Sequence, residues 1–113
     1  MATKITPLQF NGKEIRVMST KTFSNKYGGM ELVAYTGIAM RILKEHPVDM
    51  LIFEMAGKDR QQVKLSGYDF NTNILHEGEV VWSDKSLPTD TFWFKIDDHG
   101  EFYVGTFLFP SEY

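Results

Sequence analysis

The hydrophobic period of this chain changes once along its length, and that change limits what it can fold into. Over residues 31–46, Leu32, Tyr35, Ala39, Ile42 and Leu43 recur at spacings of three and four, as on one face of an α-helix. Elsewhere apolar residues tend to alternate, the period of a half-buried strand. One helical segment among several strands predicts an α+β domain. Its parts are an N-terminal β-hairpin, one main helix over about 32–46, and a mostly antiparallel β-meander of about four or five strands packed on the helix. The 113 residues form a single domain, 1–113, because two domains would each be too small to bury a stable core.

Both ends of the helix carry signals. Lys44 lies in the last turn, where a cation favours the negative end of the helix dipole, and Pro47 ends the segment. Gly37 costs about 1 kcal/mol relative to alanine, which leaves open a start at Thr36 after a strand over 30–35. The preceding polar stretch, 19–29, reads as a loop, with a short irregular strand around Lys21 to Phe23 as the alternative.

Asn11-Gly12 sits between two alternating runs and supplies the two positive φ angles of a type I′ turn. A two-residue loop pairs Phe10 with Lys13, Leu8 with Ile15 and Thr6 with Val17, placing the apolar members on one face. Pro7 marks the first strand as an edge. Residues 8–18, LQFNGKEIRVM, are similar to the opening strand pair of the phage antirepressor (Bro-N) domain. The likeness is confined to this hairpin and implies nothing about function.

After Pro47, residues 50–55 and 61–65 form a strand pair, and 67–71 a turn or strand end. Residues 74–75 and 80–82 flank another strand region, and 85–90 form a loop. Residues 91–96 and 102–109 make the longest hairpin, turning at Asp97-Asp98-His99-Gly100. Phe92, Phe94, Phe102, Val104 and Leu108 are expected in the core. A second apolar face, with Trp93, Tyr103, Phe107 and Phe109, then needs cover from another segment, a second copy or a partner, with Asp97 and Asp98 at its rim.

The chain has no cysteine, which excludes disulfides, thiolate nucleophiles and sulfur-ligated zinc, and suits a reducing cytoplasm. Met1 reads as the start of a natural chain. No signal peptide or transmembrane run is visible. No Gly-x-Ser-x-Gly elbow is present, and His46, His76 and His99 lie in unrelated contexts. The cluster Asp97-Asp98-His99-Gly100-Glu101 offers donors but no metal-ligand spacing, so no metal or cofactor is expected. The net charge of −3 divides into +4 over residues 1–46 and −7 over 47–113. The simplest account is that the halves fold together and partly neutralise each other. Overall acidity opposes nucleic-acid binding.

By elimination, the expected function is that of a small, non-enzymatic bacterial or phage protein of inhibitor or immunity type. It would bind a protein partner, with homo-oligomer formation as a further option. The other expectation is a small-ligand or nucleotide-binding domain. Its pocket would lie between helix and sheet near Tyr27, Tyr35, Phe92, Phe94 and Tyr103, with Lys26, Gly28 and Gly29 at the helix start.

Overall fold

The computed structural model describes residues 8–58, 60–84 and 91–113. It is an α+β domain. In chain order the elements are β1 (Leu8–Phe10), β2 (Lys13–Ser19), α1 (Lys21–Lys26), α2 (Gly29–Glu45), β3 (Val48–Met55), β4 (Gln61–Asp69), β5 (Leu75–Asp84), β6 (Phe92–Asp98) and β7 (Tyr103–Leu108). A 3-10 turn follows at Pro110–Glu112. The strands form one sheet in the order β1-β2-β7-β6-β3-β4-β5.

The N-terminal turn follows its local chemistry. Asn11 and Gly12 have φ angles of 52° and 86°, and the strands pair Leu8 with Ile15 and Phe10 with Lys13. Val17 lies on the same side as Ile15, whereas Thr6 and Pro7 lie outside the described residues. β1 is an edge of the sheet.

Helix α2 begins at Gly29, ahead of the predicted start, and runs unbroken through Gly37, so no strand occupies 30–35. Glu31 in its first turn and Lys44 in its last complement the dipole. Tyr35, Ala39, Ile42 and Leu43 are its buried residues. Residues 19–29 are not simply a loop. α1 fills most of them, capped by Thr20, whose side chain accepts from the Phe23 N–H, and held by one fully buried residue, Phe23.

The strands after Pro47 form at the expected places, and β5 continues through His76-Glu77-Gly78-Glu79. Residues 85–90 lie outside the described set. The connectivity is not a plain meander. The β6–β7 hairpin lies between β3 and β2, with β6 antiparallel to β3 and β7 parallel to β2. This placement covers both long edges of the hairpin. The basic first part of the chain also meets the acidic second part: Lys13 Nζ lies 2.7 Å from Asp98 Oδ1 and donates to the Gly100 carbonyl.

One face of the sheet packs on the helices. Its centre is aromatic: Phe53 stacks on Phe92 at 4.6 Å, Phe94 packs on Phe107 at 4.4 Å, and Tyr35 meets Phe92 at 4.9 Å. The sheet curls enough for α2 to reach both of its edge strands. Met40, Leu43 and Lys44 line a cleft with Leu8 and Phe10 of β1, while Arg41 stands over Trp82 of β5.

Candidate functional site

The faces of the β6–β7 hairpin differ from the predicted grouping. The connection His99–Phe102 has four residues, so Asp98 faces Tyr103, Ile96 faces Gly105 and Phe94 faces Phe107. Directly opposed residues share a face, and an even-length loop pairs even-numbered positions with odd-numbered ones. Tyr103 and Phe107 therefore join Phe92, Phe94 and Ile96 in the core, at 4% and 0% exposure. They form no outward surface. Val104, expected in the core, is half-buried on the opposite face with Trp93; Leu108 shares that face but is buried, at 7% exposure, as expected. Phe102 belongs to the turn, stacked on His99 and under the Arg16 guanidinium. Phe109 packs beside Phe23 and Tyr27 at the end of the core.

The opposite face is nevertheless present, with different members. Across three strands Ile52, Trp93 and Leu108 stand in one row. Met50, Lys95, Thr106 and Met18 form the next, and Asp97, Val104 and Arg16 a third. Both main helices lie on the other side of the sheet. The C-terminal turn reaches this face, where the Tyr113 ring meets Trp93 at 5.5 Å. The result is an apolar row, half-buried at Ile52 and Trp93 and buried at Leu108, on a sheet face without a described helix and bordered by charge.

Those charges are largely paired. Lys95 Nζ lies 3.7 Å from Asp49 Oδ2 and 3.9 Å from Asp97 Oδ1, and Arg16 Nε lies 2.8 Å from Glu14. Glu54 accepts from Lys64 and from Gln62. The Lys64 hydrogen bond, then that of Gln62, holds the Glu54 carboxyl below the usual carboxylate range despite partial burial. Asp98, expected at this rim, pairs with Tyr103 and so belongs to the other side of the sheet, where its bond from Lys13 and the Gly100 N–H lower its carboxyl. A rim compensated in this way orients a partner more than it attracts one.

The space between helix and sheet at Tyr35, Phe92 and Phe94 is packed with core side chains, while Gly28 and Gly29 line a shallow hollow with Met30, Glu31 and Ala34 at the start of α2. Tyr35, Phe92 and Phe94 are fully buried, and Tyr27 closes on Tyr35 at 5.5 Å. Lys26 stands over the Tyr27 and Phe109 rings, while Gly28 and Gly29 lie exposed at the start of α2. A cleft of about 360 Å³ lies elsewhere, between β1, the end of α2 and the turn at Asn71. Its floor is Phe10, Met40, Leu43 and Pro47, and its rim includes Gln9, Asn11, Lys44 and Asn71. Among the described residues no cluster of three or more His, Asp or Glu side chains could hold a metal ion. No described helix is long and apolar enough to cross a membrane.

No family model, curated protein or solved structure matches this chain. The chemistry of its surfaces is therefore the guide to function.

Proposed function

We propose that this domain acts without catalysis, by binding another protein through the open face of its sheet. The observation that carries this reading is the Ile52–Trp93–Leu108 row, which runs over three central strands with no described helix above it. Tryptophan, tyrosine and methionine are enriched at interface centres, and Trp93, Tyr113, Met50 and Met18 gather here. The paired charges around the row supply the polar rim of such an interface.

The test is affinity capture from the native host with the wild-type chain and Trp93→Lys in parallel, identification by mass spectrometry, and calorimetry with the purified partner. Truncating a central tryptophan costs about 2 kcal/mol or more, so affinity should fall by more than about tenfold. Circular dichroism should be unchanged, because Trp93 lies outside the core. A partner that binds both chains equally well would refute this surface.

The cleft at Asn71 supports a second reading. Its volume falls within the range of about 300–1,000 Å³ typical of small-molecule sites. An apolar floor beside Lys44 and three amides fits a small carboxylate with an apolar body. Thermal-shift screening of such acids against wild type and Met40→Trp tests it. A shift in wild type that Met40→Trp abolishes supports the cleft, and no shift across the series rejects it.

A further inference from the structure

Building on the cleft at Asn71 as a site for a carboxylate with an apolar body, we propose that it takes the C-terminal residue of a partner protein, whose last segment adds as a strand to the free edge of β1. β1 is the outermost strand on its side of the sheet. Its two-residue turn makes Phe10 and Lys13 a hydrogen-bonded pair, so the next pair, Gln9 and Glu14, is a non-hydrogen-bonded one. The Gln9 N–H and C=O therefore point away from β2, out of the sheet edge. Gln9 also lines the cleft. Edge groups of this kind template the addition of another strand. In such complexes main-chain hydrogen bonds give affinity and neighbouring pockets give specificity.

The rest of the cleft supplies the pocket. Met40, Leu43 and Lys44 of α2 line it together with β1. The β1 side is fixed in advance: the Phe10 ring packs on Phe70 at 5.7 Å and on Tyr103 at 4.9 Å, and Asn11 donates to the Tyr103 hydroxyl. Lys44 is exposed, and no carboxylate among the described residues pairs with it. A peptide C-terminus combines an extended backbone, a last side chain and an anion within one residue. A free acid offers only the last two and cannot use the Gln9 groups. The cleft, at about 360 Å³, lies near the lower limit of small-molecule sites, about 300 Å³, so it admits one residue rather than a longer segment. The occupant is thus a chain terminus with an apolar last residue, selected by the free strand edge, the apolar floor and the unpaired ammonium.

The experiment is fluorescence anisotropy on the full chain with labelled octapeptides Ser-Gly-Ser-Thr-Ala-Thr-Ala-X, where X is Val, Leu, Met or Phe, each as the free acid and as the amide. At least one free acid should bind with a Kd of about 100 μM or tighter. Its amide should bind at least about tenfold more weakly, as loss of a charged hydrogen-bond partner implies. Lys44→Gln should remove that difference. Gln9→Pro deletes the outward N–H but no β1–β2 ladder bond, so circular dichroism should be unchanged while peptide affinity falls by about tenfold. Lys44 is exposed, so its variant keeps the test independent of whether Gln9→Pro folds. Isocaproate, which has the apolar body and carboxylate of leucine without its amine, is the second probe, read by thermal shift. Isocaproate binding that Met40→Trp abolishes, with no peptide bound, keeps the cleft as a carboxylate site and overturns the added strand. Binding of neither probe overturns both. Acid and amide bound equally well, or full peptide affinity in a folded Gln9→Pro chain, also overturns the proposal.

Discussion

Replacing Gly105 with alanine adds one methyl group at the most crowded glycine of the core. Gly105 faces Ile96 on one side and Val17 on the other. A Cβ there would lie 2.3 Å from Phe94 Cζ and 2.8 Å from Cε1. Carbon atoms pack at about 3.5–4.0 Å, so the ring must retreat by more than about 1 Å. It has nowhere to go, because Phe94 is fully buried and packed on Phe107 at 4.4 Å. Overpacking of this kind costs about 1–3 kcal/mol. Removing a glycine from a strand returns about 0.5–1 kcal/mol, leaving a net loss of about 1–2 kcal/mol. At about 2.1 cal/mol/K of unfolding entropy per residue, that lowers Tm by roughly 4–8 °C for a chain of this size. Urea denaturation gives the free energy and calorimetry the Tm. Gly37→Ala is the control. With open space around it, the same substitution should stabilise by about 1 kcal/mol through helix propensity. A Gly105→Ala chain within about 0.5 kcal/mol of wild type would refute the packing argument.

Gly12→Val should destabilise by about 1–3 kcal/mol, because a β-branched residue is strained at φ 86°; an unchanged thermal melt would count against a type I′ turn. Stability should fall on acidification. Glu54 and Asp98 are lowered by their lysine partners; for Asp69 burial acts to raise the carboxyl, but the Thr72 and Asn71 N–H groups outweigh it. Groups lowered in the folded state contribute stability in full above the ordinary carboxylate range, about pH 4–5, and lose it as pH falls through their folded values. Urea midpoints at a series of pH values should show that drop, and Glu54→Gln should reduce its steepness. Gln61 is 1% exposed, and neither polar atom of its side chain has a hydrogen-bond partner among the described residues. Gln61→Met should therefore be neutral or stabilise by about 1 kcal/mol, and a loss above about 1 kcal/mol in urea melts would show that the amide is satisfied.

Some features follow from neighbouring residues alone. Asn11-Gly12 sets its own turn, and a two-residue loop leaves one register, so Leu8 meets Ile15 without tertiary help. Pro47 stops α2, and the three-four spacing of Tyr35, Ala39, Ile42 and Leu43 selects its buried side. The even length of the His99–Phe102 connection also carried the parity that places Tyr103 and Phe107 in the core, a signal in turn length rather than in side-chain polarity.

Other features arise only from long-range packing. α1 has one buried residue and no periodicity to announce it; contact of Phe23 with Phe92 and Phe107 makes the turn worth forming. The parallel pairing of β2 with β7 joins Ile15 to Tyr103, and no local pattern encodes a partner so distant in the chain. Trp93 and Phe94 are adjacent aromatics of similar hydrophobicity. Phe94 became core and Trp93 surface because α2 covers only one side of the sheet, and a strand must give its neighbouring side chains to opposite sides.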